Sequence, residues 1–243
     1  MIDIHCHILP MIDDGASDLA ESVALARLAV SSGVTGIIAT PHLQGDRQGL
    51  ELMPKLLSRY ESLNKILAWQ KIPLTLYPGA EILCTPETVS MARQKLLPTL
   101  GDSNYLLTEF FFNESAEFMS DTLSALADCG YRPVIAHPER YGAVKQFPEL
   151  IEDWFFRGLV IQLNKGSLLG TFGSEVQETA QWILRSGLAH TIASDAHSIH
   201  HRTTDMMGLR EYLQEICPPR YVQVLLKENP TRIVTNQDMF PTA

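Results

Sequence analysis

With 45% hydrophobic and 19% charged residues over 243 positions, the chain has ample material for a large core, which excludes an intrinsically disordered protein. Its formal net charge of -9 excludes a general nucleic-acid binder, because a phosphate backbone needs a clustered Lys/Arg face. No apolar run approaches the length of a membrane span, so membrane insertion is not expected either.

The chain begins MIDIHCHILPMIDDG. Met1 to His7 reads as a short apolar strand. Residues i and i+2 of a strand share a face, so His5 and His7 present both imidazoles on one side while Cys6 turns to the other as a packed thiol. The loop that follows carries Asp13 and Asp14. A strand starting this early leaves no room for a targeting peptide, and the scattered Cys6, Cys84, Cys129 and Cys217 form no Cys-x-x-Cys pair. Both features fit a cytoplasmic protein with reduced thiols.

Asp18 with Glu21 predicts a capped helix carrying Leu19, Val23, Ala26 and Val30 on one face and ending near Gly33. VTGIIAT (34–40) is a buried strand running into Pro41 and His42. A longer helix over about 50–71 places Leu56, Tyr60, Leu63 and Leu67 on one face. LTLYPGAEI (74–82) is the third strand, and a short helix follows from about Pro86 to Leu96. NYLLTEF, ending near Glu109, is the fourth strand; its helix carries Met119, Leu123 and Leu126. RPVIAHP (132–138), LVIQLN (159–164) and LAHTIAS (188–194) complete the strands, with helices over about 147–157, 174–186 and 203–216.

Continuous apolar strands alternating with helices belong to a parallel sheet covered on its faces. Seven such units without a linker, repeat or low-complexity tract predict one α/β domain over 1–243, a distorted TIM-like (β/α)7 barrel, with an open doubly wound sheet as the alternative. Both architectures gather ligands at the carboxyl ends of the strands. Those ends carry His5, His7, His42, Glu81, Glu109, His137, Asp195 and His197, and Asp14 joins them from the first loop. Imidazole and carboxylate without thiolate suit zinc, manganese or iron(II), and nine candidate ligands exceed what one ion can use, so two or three ions are expected. Such a cluster suits metal-assisted hydrolysis, with phosphoryl oxygens clamped and water acidified. Arg140, just past His137, and Arg202, just past Asp195, are placed to hold non-bridging phosphate oxygens through their planar guanidinium groups.

Blander readings fit other residues. His200 and His201 read as solvated loop residues and His190 as structural. Trp69, Trp154 and Trp182 fall in helices, where an aromatic is usually core. Lys165 and Ser167 either touch substrate or finish a loop, and Asp13 competes with Asp14. No cysteine is followed six residues later by an arginine, so the Cys-x5-Arg loop of thiol-dependent tyrosine phosphatases is absent from the sequence.

DIHCH, the Asp14 loop, the Pro-His pair ending in His42, GAE ending in Glu81, EF starting at Glu109, AHPER ending in Arg140 and SDAH ending in His197 resemble the polymerase and histidinol phosphatase (PHP) superfamily. Within it they are most similar to the metal-dependent tyrosine-protein phosphatases of bacterial capsule and exopolysaccharide loci. The resemblance runs from Met1 through ENPTRIV (228–234). It implies a distorted barrel with a trinuclear site: His5, His7, Glu81 and Asp195 on one ion, Glu81, Glu109 and His137 on a second, Asp14, His42 and His197 on the third. It also implies manganese, with iron or zinc as alternatives, phosphate held by Arg140 and Arg202, and a substrate phosphotyrosine on the tail of a bacterial tyrosine kinase. Two other enzymes compete. A small-molecule phosphatase such as a histidinol-phosphate phosphatase would need longer lid loops, and a carbon-nitrogen hydrolase would want a lysine where Glu109 stands. A non-enzymatic module would have lost some of these residues.

Overall fold

The computed structural model describes residues 1–239, so the last four of the expected 1–243 unit, 240–243, lie outside the described residues. Strands β1 (Ile2–Cys6), β2 (Gly36–Ala39), β3 (His42–Gln44), β4 (Thr75–Tyr77), β5 (Glu81–Leu83), β6 (Tyr105–Glu109), β7 (Arg132–Ala136), β8 (Val160–Asn164) and β9 (Thr191–Ala193) are paired throughout in parallel. They form a three-stranded sheet, β1-β2-β4, and a six-stranded one, β3-β5-β6-β7-β8-β9.

This differs from the seven strands expected. β2 passes into β3 across Thr40 and Pro41, and β4 into β5 across Pro78, Gly79 and Ala80. Proline has no N–H to give a ladder, so the expected 74–82 strand splits between the two sheets, while the 34–40 strand ends before Pro41 and β3, beyond it, is an additional strand in the second sheet. The remaining seam is narrow: a single parallel bridge pairs Cys6 with Ala196, backed by His7 N donating to Ala196 O and Asp195 N to His5 O, both at 2.9 Å. The α/β architecture with parallel strands is as expected, whereas the ladders do not close a barrel.

The first helix, α1 (Leu19–Ser31), starts where the sequence places it. Asp18 Oδ1 accepts from Glu21 N at 2.8 Å, and Glu21 Oε2 reaches back to Ser17 N at 2.9 Å, so two orphan donors of the helix entry are satisfied. Its buried stripe includes Ser22, Val23, Ala26 and Ala29, and Leu19 falls outside it. The expected helix over 50–71 is two, α2 (Arg47–Glu51) and α3 (Met53–Trp69), divided near Pro54. Trp69 is 81% exposed, against the expectation of core packing, because α3 ends there and its buried face, Leu56, Leu63 and Leu67, points elsewhere. Trp154 is buried and Trp182 half-buried.

Helices α4 (Thr88–Arg93), α5 (Ala116–Asp128), α6 (Gly142–Gln146), α7 (Glu149–Phe156), α8 (Lys165–Leu168), α9 (Ser174–Arg185), α10 (Met207–Ile216), α11 (Pro219–Gln223) and α12 (Asn229–Val234) complete the described helical elements, with 3-10 turns at Leu100–Asp102 and Pro138–Arg140 and a π-helical turn at Val224–Glu228. Side-chain alternation divides the strands between two apolar clusters. Leu107, Val134, Ala136 and Val160 belong to a small one with Ile4, Ile38 and Ile233 of α12, while Leu106, Ile135 and Ile161 pack outward against the helices. Cys6 lies in the outer cluster, as expected.

His190 is structural. Its Nδ1 accepts from Ile161 N at 3.1 Å and its ring stacks on Phe155 at 4.8 Å. Burial pushes its pKa down from 6.5 to about 4. Between those values the unfolded chain takes up a proton that the folded protein refuses, so this group's contribution falls as pH drops from neutrality, by about 2 kcal/mol between pH 7 and 5. His190→Asn keeps an acceptor near the Nδ1 position. Its stability in urea should fall less steeply than wild type over that range; parallel curves would contradict the assignment.

Candidate metal centre

The site begins with β1. His5 Nδ1 lies 2.9 Å from Gln162 Oε1, and His7 Nδ1 lies 2.7 Å from Asp13 Oδ2. Gln162 donates its own amide to Leu163 O, so its oxygen faces His5 and His5 Nδ1 is the donor. With both Nδ1 protons spent outward, the two Nε2 atoms turn inward and meet at 3.3 Å. The shared face read from the His-x-His spacing is therefore realised.

Asp13 is a positioning group. Its carboxylate also accepts from His42 N at 2.9 Å and Gly15 N at 3.0 Å. Gly15 makes that fold possible, since a Cβ there would stand 2.3 Å from His7 O. Burial opposes ionisation of Asp13, but the bond to His7 and the two backbone donors lower its pKa to about 2. Asp14 instead faces the cluster, with Oδ1 3.6 Å from His42 Nε2 and 3.4 Å from His197 Nε2.

Glu81, at the start of β5, is fully buried and central. Its Oε2 lies 3.1 Å from His5 Nε2, 3.3 Å from His7 Nε2 and 3.0 Å from His42 Nδ1, and its Oε1 lies 2.9 Å from His137 Nε2. Glu109, ending β6, stands 3.4 Å from His42 and 3.7 Å from His137. Asp195 Oδ1 is 3.4 Å from His5 Nε2 and 3.5 Å from His7 Nε2. His197 holds its own Asp195 carbonyl through Nδ1 at 3.0 Å, leaving Nε2 free to face Asp14.

Donor atoms fall into four groups, each with its atoms within 4.8 Å of one another: His7, Asp14, His42 and His197; His5, His7 and Glu81; His5, His137 and Asp195; His42, Glu81 and Glu109. All nine residues, eight read from the strand ends and Asp14 from the first loop, are brought together. Their partition is less separate than the resemblance implies, since His5, His7 and His42 each belong to two groups and His137 groups with His5 and Asp195 while still touching Glu81.

These residues fit divalent cations on physical grounds. Glu81 Oε2, Asp195 Oδ1, His137 Nδ1 and His197 Nε2 are buried without a hydrogen bond. These Glu81 and Asp195 oxygens lie buried beside one another's imidazole neighbours with nothing else to bond, an arrangement that calls for positive charge among them. The same need shows in the titration of His42: burial pulls it down, but the carboxylates of Glu109 and Glu81 beside it raise it to about 10. Burial likewise opposes ionisation of Glu81 and Asp195, yet the charge of His5 and bonds from neighbouring histidines hold both carboxyls well below their usual range. Hard oxygen and borderline nitrogen donors together suit manganese, iron(II) or zinc.

The two arginines reach the same rim. Arg140 Nη1 lies 3.6 Å from Asp195 Oδ2, and its guanidinium carbon sits 4.4 Å from the Phe112 ring centroid and 4.5 Å from that of Phe172. Two aromatic faces fix the guanidinium plane and leave its N–H edges free. Arg202 is bound to Asp195 twice, through Oδ2 and through the carbonyl at 3.2 Å from Nε. His137, Asp195 and Arg202 all have left-handed backbone, with φ of 37°, 51° and 52°. Such conformations cost of order 1 kcal/mol or more apiece and concentrate where a site dictates side-chain direction.

Several supporting residues escaped the sequence reading. Gln162, Asn164 and Glu139 are buried polar groups: Gln162 aims His5, Asn164 Nδ2 donates to Asp195, and Glu139 accepts from Asn164 N at 2.9 Å. Their signal was a polar residue inside an otherwise apolar strand or immediately beside a ligand. Lys165 holds the carbonyls of Thr203 and Asp205, bracing the segment that bears Arg202, so it finishes a loop. Ser167 is buried, and His200 and His201 are exposed.

The family model described as capsular polysaccharide synthesis, CpsB/CapC, matches residues 1–235. Tyrosine-protein phosphatase YwqE of Bacillus subtilis is 35% identical over 240 residues, covering 99% of this chain and 94% of that one. Tyrosine-protein phosphatase CpsB of Streptococcus pneumoniae is 30% identical over 244 residues, covering 98% and 99%. A crystal structure from work on YwqE and CpsB, described as metal-dependent tyrosine phosphatases, superposes with a TM-score of 0.87 at 34% identity, over 99% of this chain and 96% of that one. A mutant organophosphorus hydrolase from Deinococcus radiodurans reaches a TM-score of 0.62 at 13% identity, over 96% and 92%, which indicates a shared fold alone.

Proposed function

The chain belongs to the capsular polysaccharide synthesis family CpsB/CapC, and we propose on that premise that it is a metal-dependent protein-tyrosine phosphatase. The observation that carries the reading is the convergence of four imidazoles on the buried Glu81 carboxylate with Arg140 and Arg202 at its edge. His5, His7, Asp14, His42, Glu81, Glu109, His137, Asp195 and His197 are the proposed ligands of two or three ions, manganese first among the candidates. Divalent ions held there would supply Lewis-acid charge at the phosphoryl oxygens and a lowered pKa for attacking water.

The chain's own groups do the rest. Gln162 and Asp13 take the Nδ1 protons of His5 and His7, so Nε2 is the nitrogen each ring would offer to an ion. Arg140 offers N–H edges to phosphoryl oxygens from its aromatic clamp. Arg202 adds charge while orienting Asp195. A phenolate leaves more readily than an alkoxide, so a site with cations and no dedicated acid favours aryl phosphates. The proposed substrate is phosphotyrosine on the tail of a bacterial tyrosine kinase, whose dephosphorylation would regulate capsule or exopolysaccharide synthesis in the cytoplasm. We read the two sheets as parts of one distorted TIM-like barrel; no helix among the described residues is long and apolar enough to cross a membrane.

Protein supplied with manganese should hydrolyse phosphotyrosine peptides far faster than phosphoserine peptides or histidinol phosphate. Faster release from either of the latter would overturn the tyrosine assignment. Chelator should abolish the activity and iodoacetamide should leave it, since Cys6 and Cys84 are buried and Cys129 and Cys217 are outside the site. Loss on alkylation of an otherwise folded protein would point to thiol chemistry instead.

A further inference from the structure

A cavity of about 650 Å³ opens directly from the metal centre, because His42 and Glu109 line both. Beyond those two residues and the amides of Gln44 and Gln48 its walls are apolar. Leu43 and Phe110 form buried parts, and Leu52, Phe111 and Phe112 stand at 43%, 56% and 46% exposure. Large hydrophobic side chains this exposed and this close together mark a surface meant to be covered. The volume lies in the range that holds a whole drug-sized ligand, so a phosphotyrosine ring at the mouth would leave most of it unfilled.

We infer that this cavity is a specificity subsite that takes the phosphotyrosine ring together with an apolar side chain next to it in the substrate polypeptide. The inference rests on the phosphotyrosine reading and adds a sequence preference to it. Continuity decides the occupant: Arg140, which would hold the phosphoryl group, packs on Phe112, and Phe112 also lines the cavity, so the ester oxygen, and hence the ring and peptide, can run along those walls. Charge decides the flanking residue. Its other polar lining groups are the neutral Gln44 and Gln48, and Gln48 also borders a hollow edged by Asp46, Glu51 and Glu87 with Arg47, three carboxylates to one guanidinium. No lysine or arginine lines the cavity to receive an acidic neighbour, whereas a leucine or phenylalanine would bury against Leu52 and Phe111.

The test uses manganese-loaded full-length protein and short phosphotyrosine peptides whose flanking residues are serine, with leucine or aspartate placed singly up to two positions either side. Burying one such side chain predicts about a tenfold gain in kcat/KM for leucine over serine at one position or more, with aspartate the poorest. Leu52→Gln and Phe111→Ser lie on the exposed rim, where folding is not at stake. Each should erase the leucine preference while leaving hydrolysis of p-nitrophenyl phosphate within about twofold. Equal rates on all peptides, or equal losses on peptide and p-nitrophenyl phosphate in the variants, would overturn the subsite. If no phosphotyrosine peptide is hydrolysed, the phosphatase reading itself fails. Binding of the same peptides carrying a non-hydrolysable phosphonate then decides the cavity separately: a leucine preference lost in Leu52→Gln upholds it, and no preference removes it.

Discussion

Glu81→Gln should abolish metal-dependent phosphatase activity, with turnover falling by more than about a hundredfold and bound manganese dropping below the wild-type content per chain. Outer partners that merely orient a ligand already cost 10- to 100-fold when removed, so about a hundredfold is a lower bound for the group they surround. Four imidazoles face this carboxylate within 3.3 Å, and it participates in two of the four donor groups. Glutamine matches its shape but removes the negative charge and turns one acceptor into a donor aimed at imidazole nitrogens. Elemental analysis with steady-state kinetics on one preparation checks this. Full metal content with full activity would remove Glu81 from the proposed ligand set, and a circular dichroism spectrum matching wild type would separate the site effect from unfolding.

Arg140→Ala should lower kcat by about a hundredfold to a thousandfold, the usual result of deleting a preorganised donor to a charged transition state, and leave metal content unchanged. Arg140 makes the cleaner test of the two arginines. Its contact to Asp195 is long, at 3.6 Å, and its orientation comes from Phe112 and Phe172, whereas Arg202 grips Asp195 directly and its loss would disturb a proposed ligand. Arg140→Lys should recover little, because an ammonium cannot occupy a slot built for a flat guanidinium between two rings. Loss of metal in Arg140→Ala would contradict the separation of roles.

The nine proposed ligands and two arginines were legible because their chemistry is local in kind. A His-x-His pair on a strand shares a face whatever surrounds it, and a polar residue closing an apolar run is conspicuous. The interruptions at Pro41 and Pro78 were also written in the chain, yet their effect was not. Whether a proline ends a strand or divides it between two sheets depends on which neighbour supplies the next ladder. Trp69 shows the same limit on a helix, where the periodicity of α3 fixed a buried face but not that its last residue projects beyond the body it packs on.

By itself the sequence determined the parallel α/β class, the alternation of strands with helices and which side chains stand at strand ends, since these follow from hydrophobic period and residue chemistry along a few consecutive positions. Only the tertiary structure decided which of Asp13 and Asp14 faces the cluster, that His42 bridges two donor groups, that Phe112 and Phe172 clamp Arg140, and that an apolar cavity leads away from Glu109. Each of these joins residues from different strands or loops. Their distances are set by how two sheets meet at Cys6 and Ala196 and by where the loops between them fold, and no spacing along the chain encodes that.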